Sequence, residues 1–479
     1  MEKLFKLKEN HTTARIEVIG GLTTFMTMAY IVALNPNLLT NFAVGTPLWN
    51  AVFLATVISA GVGTLLMAFL ANKPFALAPG MGLNAYFATV VASIAVAGNM
   101  PYENAFQAAL SIILFSGLLF TVLTLVKVRE KIVDAIPKAV RIGIPAGIGM
   151  MLVNVGLTTN AGINVMSVNE EGETVSTMFY MLTSFFTDGP SATKAAMGES
   201  YSLMILSVIV FFVGLFAIAT LSHFNVKGSV LLGIVIAAVC YWIGDAILGI
   251  NPFASLADAS WLPPFKDMAE MTLFKFDFKN LFDIGIFSAI MTIISFCMVD
   301  MFDTIGTLYG TAKKANMLDE NDKMPGMGKA MLSDSLATIV GACTGTSTVT
   351  TFIESASGVA EGARTGLASV VTGVLFLACM FISPLAALIP APATSAALVY
   401  VGVLMIGSLK EVDYTDVSQT VPVVLLLIFM IQTGGIGNGI GIGLIAYTFI
   451  KLLTGKGKEV SPLTYVLSVL FICKFFITF

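Results

Sequence analysis

Long apolar runs separated by short polar breaks dominate the chain. They recur at the length a helix needs to cross a bilayer, about 17 to 25 residues. By that measure helices are expected near 17–36, 50–71, 82–98, 104–125, 139–157, 202–220 and 228–248. A second set of seven lies near 284–310, 330–345, 352–363, 366–388, 394–409, 418–433 and 436–453. A last apolar stretch, 461–478, fits either a further span or a helix lying in the interface. The pattern predicts an all-α polytopic membrane protein with 14 transmembrane helices. An odd number of crossings in each half makes the halves opposite in topology, that is, two inverted seven-helix repeats.

Basic residues set the expected orientation, because cytoplasmic loops are enriched in lysine and arginine. They cluster at Lys3, Lys6, Lys8 and Arg15, at Lys127, Arg129, Lys131, Lys138 and Arg141, at Lys313, Lys314, Lys323 and Lys329, and at Lys451, Lys456 and Lys458. Counting fourteen spans places all four clusters on one side. The N-terminus is therefore expected in the cytoplasm, and the long loop 158–201 outside. The expected division is a cytoplasmic N-terminus (1–16), a first repeat (17–250), a connecting loop (251–283), a second repeat (284–457) and a C-terminal apolar segment (458–479).

Two sequence echoes support the repeat. Ala-Ile-Pro-Lys-Ala-Val-Arg at 135–141 and Leu-Ile-Pro-Ala-Pro-Ala-Thr at 388–394 each open the fifth span of their half. The third spans are both interrupted, by Ala-Pro-Gly-Met-Gly-Leu-Asn at 78–84 and by Gly-Thr-Ser-Thr-Val-Thr-Thr at 345–351. Matching interruptions in inverted halves point to a transporter binding site, since irregular backbone at membrane depth must be buried in protein or line a cavity. The β-branched run Thr348–Thr351 predicts a short strand leading into a half-helix.

Composition strengthens the membrane reading. The chain is 57% hydrophobic and 11% charged, with a mean hydropathy of +0.90, against roughly 25% charged for ordinary soluble domains. Its 43 glycines suit close helix packing. The net charge of -4 says little about partners. Cys240, Cys297, Cys343, Cys379 and Cys473 lie singly, without disulfide or zinc spacing, and read as small packing residues. The polar first ten residues lack a signal-peptide core, so the mature chain is expected to begin at Met1. His11 and His223 read as solvated, and no metal site or cofactor is expected.

Against this background three carboxylates stand out. Asp300 and Asp303 lie inside the eighth span, and Glu354 comes just after the second interruption. A charge at membrane depth costs several kcal/mol, about 2.5 to 3.5 on insertion scales, and normally marks a substrate or proton path. Asp303 has no basic neighbour in its span, which makes it a candidate proton carrier. Asp300, one helical turn away, suits capping or bonding inside the core as well as direct function. Thr27, Thr304 and Thr307 read individually as packing or backbone-bonded hydroxyls, Thr307 being the best ligand candidate among them. Asp413 and Asp416 read as a solvated helix start, and Arg364 as a helix-end anchor.

Four segments resemble the AzgA-like purine permeases, a branch of the xanthine/uracil permease (nucleobase/cation symporter) superfamily. They are Gly-Leu-Thr-Thr-Phe-Met-Thr-Met-Ala-Tyr-Ile (21–31), Ala-Pro-Gly-Met-Gly-Leu-Asn-Ala-Tyr-Phe (78–87), Phe-Asp-Thr-Ile-Gly-Thr-Leu (302–308) and Ile-Glu-Ser-Ala-Ser-Gly-Val-Ala-Glu-Gly-Ala-Arg-Thr-Gly (353–366). The resemblance implies a core domain from 17–126 and 284–390 and a gate domain from 138–250 and 394–455. It matches Asp303, Glu354 and Asn84 to the superfamily's substrate positions, and Thr307 to a histidine position of uracil permeases, a change that suits purines. Residues 421–440 are more apolar and glycine-rich than the branch leads one to expect.

The resemblance implies an importer of purine nucleobases by proton symport with alternating access, hypoxanthine or guanine foremost and adenine next. A flat, neutral base needs an apolar slot with a few placed polar partners. Glu354 would accept from ring N–H groups, Asn84 would donate and accept, and Phe302 or Phe352, with Tyr86 and Phe87 as alternatives, would cover a face. Asp303, Glu354 and Asp300 are the candidate proton-coupling groups. The expected setting is the plasma membrane, with the lipid bilayer, a purine base and a proton as partners, no nucleic acid, and a homodimer implied by the resemblance. Two other readings are an anion transporter of the same fold and a metal-dependent prenyltransferase using Asp300-x-x-Asp303. The first is opposed by two buried acids, the second by the lack of a second acidic cluster to hold magnesium.

Overall fold

Proline and glycine cut the apolar runs into the elements observed. The computed structural model describes residues 2–126, 136–157, 161, 164–168, 174–178, 194, 201–257, 259–283, 285–314, 317–319 and 324–476. Lys127, Arg129, Lys131 and Lys323 of the basic clusters lie outside the described residues, as does most of 158–200. In the first half the helices are α1 (Ala14–Met28), α2 (Ile31–Leu39), α3 (Pro47–Leu66), α4 (Met81–Gly98), α5 (Tyr102–Leu125), α6 (Lys138–Gly156), α7 (Tyr201–His223) and α8 (Ser229–Ile247). The second half contains α9 (Ile286–Lys314), α10 (Met327–Thr344), α11 (Ser355–Ala360), α12 (Gly366–Ala378), α13 (Ala391–Ile406), α14 (Val417–Thr433), α15 (Ile436–Leu453) and a final α16 (Pro462–Phe476). Strand β1 (Leu77–Pro79) precedes α4. The loop expected at 158–201 holds a hairpin, β2 (Asn164–Val168) with β3 (Thr174–Met178). The last strand, β4 (Val349–Thr351), precedes α11.

Among the described residues eleven helices, counting α1 and α2 as one, are long and apolar enough to cross a membrane. The count of fourteen is not established, for three physical reasons. α10 carries Lys329, Asp334 and four Ser or Thr side chains, α11 has only six residues, and α14 has seventeen. α16, with fifteen residues, is short for a crossing at 1.5 Å per residue. It packs on α15, where Phe471 covers Gly441 and Thr448 shares a hydrogen bond with Ser468 at 2.9 Å. The glycine richness of 421–440 has the same origin: a Cβ on Gly437 would strike Ser295, and one on Gly439 would strike Met430.

The helices pack in two groups. In one, α3 lies against α10 and α12, α5 against α9 and α10, and α1 against α11 and α12; in the other, α6 lies against α13 and α14, α7 against α8 and α13, and α14 against α15. Outward faces of α7 and α8 expose Ile209, Phe216, Val235 and Ile243, as a lipid-facing surface requires. The two fifth-position helices, α6 and α13, both start after a proline, Pro137 and Pro390, and cross at Gly149 and Gly402. A Cβ on Gly149 would sit 2.4 Å from the Gly402 carbonyl oxygen, and one on Gly402 would sit 2.5 Å from that of Gly149.

The strands carry the same symmetry. β1 and β4 pair antiparallel, with Leu77 opposite Thr351, Ala78 opposite Thr350 and Pro79 opposite Val349. A two-stranded ribbon buried this deeply leaves edge groups that must find partners. Thr64 of α3 donates to the Leu77 carbonyl at 3.0 Å and accepts from its N–H at 2.9 Å. Thr338 of α10 does the same for Val349, at 3.2 and 3.3 Å. One threonine per half thus closes each edge, and the repeats meet at this crossing.

Beyond α11 the chain turns back through a buried acid that the sequence pattern did not single out. Glu17, fully buried in α1, accepts from the N–H groups of Arg364 at 2.8 Å, Thr365 at 3.2 Å and Ala368 at 3.2 Å, and so caps α12. Arg364 anchors a helix end, as expected, by donating to the carbonyls of Val359 and Ala363 at 2.8 and 2.7 Å. Losing the Glu17 carboxylate strands three buried donors, each costing about 1 to 3 kcal/mol. Glu17→Ala is expected to lower the midpoint of thermal unfolding in detergent clearly more than Glu9→Ala, an exposed control, when monitored by intrinsic fluorescence.

Candidate substrate site

Pro79 and Gly80 stop the first interrupted span from continuing as a helix. Proline lacks the amide hydrogen and glycine carries no Cβ, so the chain leaves β1 extended and restarts as α4 at Met81. Opposite it, β4 ends at Thr351, and α11 restarts with Glu354 in the N-cap position. Two helix N-termini therefore flank the crossing point of the strands, although the first N–H groups of α11 already donate to the carbonyls of Phe352, Ile353 and Glu354 at 3.2, 3.0 and 2.9 Å.

α9 runs past this crossing. Asp303 is half-buried, and its Oδ2 lies 3.7 Å from the place where a Gly80 Cβ would be, beside the start of α4. The carboxylate thus lies near a helix terminus whose positive end favours an anion, while glycine is required at 80 by Thr350, whose methyl would lie 2.7 Å from a Cβ. Glu354 is also half-buried, and it accepts a hydrogen bond at 2.8 Å from the Tyr30 hydroxyl, at the break between α1 and α2. Asp303 and Glu354 are near enough for their charges to interact. The structure thus brings the two principal acids together at the crossing.

A cavity of about 190 Å³ opens against Asp303. α9 supplies Val299, Phe302, Asp303, Ile305 and Gly306, and α6 supplies Arg141, Ile144, Pro145 and Ile148. Its walls therefore come from both helix groups. Phe302 lies in this wall, whereas Phe352 is buried behind it, with its N–H bonded to the Ala76 carbonyl at 3.0 Å. Tyr86 stacks on Phe296 at 4.4 Å, and Phe87 packs edge-on against Phe106 at 5.1 Å. Gly82 admits Ile148 against the first turn of α4.

Asn84 is placed differently from a free ligand. It is fully buried, and its Nδ2 donates to Asn35 Oδ1 at 2.6 Å and to the Pro79 carbonyl at 3.3 Å, while its Oδ1 accepts from Ser347. Asn35 in turn donates to Thr56 at 2.6 Å and Thr346 at 2.9 Å. The pair ties the two interrupted segments together. Thr307 donates to the carbonyls of Asp303 and Thr304 at 2.8 and 3.1 Å, and Thr27 is backbone-bonded in the same way.

Asp300 points away from the cavity into the core. Its Oδ2 accepts from Thr338 at 3.0 Å, and its buried Oδ1 has no partner. Asp334 of α10, equally buried, accepts from Thr351 at 2.8 Å and from Thr304. Asp300 feels the charges of Asp334 and Asp303, and Asp334 feels that of Asp303. Sequence reasoning missed Asp334 and Tyr30. Asp334 carried a usable signal, a lone acid inside an expected span; Tyr30 carried none, because a tyrosine at a helix break is not unusual. Among the described residues no group of three His, Cys, Asp or Glu is arranged to hold a metal ion.

Interrupted helices that meet head to head, a cavity walled by two helix groups, and acids at the crossing fit a multi-pass membrane transporter. The chain belongs to the xanthine/uracil permease family, a permease family whose model matches residues 15–187 and 186–440. It is 38% identical to the adenine permease AdeP of Escherichia coli over 475 residues, spanning 99% of this chain and 95% of that protein. It is 37% identical to the guanine/hypoxanthine permease PbuO of Bacillus subtilis over 476 residues, spanning 99% of this chain and 100% of that protein. Its fold is similar to the transmembrane domain of the cyanobacterium bicarbonate transporter BicA, with a TM-score of 0.62 at 16% identity, covering 90% of this chain and 97% of that one.

Proposed function

We propose that the chain imports purine nucleobases, hypoxanthine or guanine foremost and adenine next, by proton symport with alternating access. The observation that carries this reading is Asp303 facing a mostly apolar cavity at the strand crossing, within reach of the charge of Glu354. Carboxylates accept the ring N–H groups that a purine offers, and the α4 N-terminus donates to a carbonyl or ring nitrogen. Phe302 supplies an aromatic wall for the flat ring. Full-length similarity to permeases named for adenine and for guanine and hypoxanthine supports the purine class.

Coupling arises from the same acids. Asp303, Glu354, Asp300 and Asp334 lie close together, and no lysine or arginine forms an ion pair with any of them among the described residues. Like charges so packed do not all ionise at once, so the cluster holds exchangeable protons. Asp303 is the member that reaches the cavity, and so carries the proton that travels with substrate. The group containing α6, α13 and α14 acts as the gate, and the group containing α1–α5 and α9–α12 acts as the core. Asn84 positions the interrupted segments, and Thr307 holds the backbone of α9. An anion as cargo is disfavoured, because two acids occupy the place where helix N-termini would otherwise meet it.

The test is uptake of radiolabelled hypoxanthine, guanine, adenine, xanthine and uracil in cells lacking purine transport, with and without a protonophore. Wild type is expected to accumulate one or more purines and to lose that accumulation with the protonophore. Asp303→Asn is expected to abolish accumulation at normal membrane abundance. Protonophore-insensitive accumulation, or full accumulation by Asp303→Asn, would overturn the coupling assignment.

A further inference from the structure

Arg141 is the one basic side chain in the cavity wall. It stands one turn into α6, on the gate group, while Asp303 faces the same space from α9 on the core group. Opposite charges in one cavity normally pair. Here neither does: among the described residues the Arg141 side chain has no hydrogen bond or ion pair, and no side-chain bond reaches the Asp303 carboxylate. An arginine is always charged and presents five donors in a fixed fork, so leaving it unpaired beside an acid requires that something hold the two apart. What separates them is the cavity of about 190 Å³, bounded by the two packing groups.

We propose that Arg141 is the counter-ion that Asp303 gains when the emptied cavity closes, so that gate closure and proton release are one event. This rests on the symport reading and deepens it. With substrate and proton bound, Asp303 is a neutral carboxylic acid and needs no cation. Once substrate leaves, the Asp303 O–H bond breaks, its proton passes to water, and the resulting carboxylate accepts a bidentate pair of N–H bonds from Arg141 as α6 moves toward α9. The other groups near Asp303 cannot take this part. Glu354, Asp300 and Asp334 are acids, and the α4 N-terminus belongs to the same group as Asp303 and does not move relative to it. The ion pair between Lys227, in the turn between α7 and α8, and Glu361, just past α11, is a charged contact already made across the two groups. Arg141 is a positioning residue in this scheme: it takes up no proton, and acts by fixing when Asp303 is ionised.

Two readouts separate this from a structural role. Arg141→Gln is expected to lose proton-driven accumulation at least about tenfold more than it loses substrate counterflow, which needs no net proton movement, on the scale of removing one partner of a buried charge pair. Arg141→Lys is expected to restore accumulation in part. The second readout needs no substrate: Gly306→Cys, placed in the cavity wall where a Cβ meets nothing within 4 Å, is labelled with a thiol reagent across pH, with the parent protein as control for its native cysteines. Because the thiolate is the reactive form and grows with pH, labelling of Gly306→Cys is read relative to Gly306→Cys/Arg141→Gln, and that ratio is expected to fall as pH rises and the pair forms. Full accumulation by Arg141→Gln, an equal loss of counterflow and accumulation in both Arg141 variants, or a labelling ratio that does not change with pH would each overturn the proposal. If wild type transports no purine while labelling still responds to pH through Arg141, the substrate reading fails and the counter-ion stands.

Discussion

Glu354→Gln is expected to reduce purine uptake by at least about thirtyfold, because truncating the charge in a buried hydrogen-bonded contact costs about 2 to 5 kcal/mol, and each 1.4 kcal/mol is tenfold. The glutamine keeps the size of the side chain and one acceptor oxygen, but it replaces the other oxygen with a donor that faces the donors of the ring. Tyr30→Phe gives the contrast. Tyr30 donates to Glu354 at 2.8 Å and so orients it, and deleting one donor to a charged acceptor is worth about 1.5 to 3 kcal/mol. Uptake by Tyr30→Phe is therefore expected to fall roughly ten- to a hundredfold, less than in Glu354→Gln, with the loss mainly in KM. Initial-rate uptake, normalised to membrane abundance, checks both. Wild-type rates in Glu354→Gln would remove Glu354 from the binding site. An equal loss in both variants, without any change in KM, would make the contact a structural one.

The parts of this site that were legible in the sequence share one property: they are anomalies against an apolar background. Asp303 and Glu354 stood out because a charge at membrane depth is expensive, and the interruptions at 78–84 and 345–351 stood out because proline, glycine and a threonine run do not continue a helix. The structure places those four features at one crossing. Asp334 had the same signature but lay in a span already polar enough to mask it. The crossing itself was half legible. A strand at Thr348–Thr351 was expected, yet its pairing with Leu77–Pro79 depends on residues 270 to 274 positions apart, and no local pattern encodes such a contact.

Asn84 shows a different kind of gap. A polar residue in an interrupted span reads from sequence as a ligand, but buried amides must be bonded on both ends, and its partners Asn35 and Ser347 come from both halves of the chain. Sequence order hides that network. The fold class was legible for the opposite reason, since hydropathy is a local sum and each span reports itself. The number of crossings was less so, because short or polar helices such as α10, α11 and α14 owe their place to neighbours that shield them from lipid, rather than to their own hydropathy.

Gly402→Val is expected to prevent accumulation of folded protein, and Gly149→Val to do the same, because both helices run backbone against backbone where α6 crosses α13. A Cβ on Gly402 would lie 2.5 Å from the Gly149 carbonyl oxygen and 2.9 Å from a Val153 methyl carbon; one on Gly149 would lie 2.4 Å from the Gly402 carbonyl oxygen. A clashing side chain could rotate away, but a helix carbonyl cannot, so the helices must separate along a seam packed by small residues. Close approach through glycine is what holds helices together in lipid, where no hydrophobic difference drives them to associate. The expected destabilisation exceeds about 4 kcal/mol for either substitution, in the range reserved for severe core defects. Gly407→Val is the control: Gly407 comes directly after the same helix and a Cβ there meets nothing within 4 Å, so it is expected to be tolerated. Fluorescence-detected size exclusion of tagged protein in mild detergent distinguishes the cases. Monodisperse Gly402→Val at wild-type yield would show that the two fifth-position helices do not meet here, and with that the pseudo-symmetric contact between the repeats would lose its structural basis.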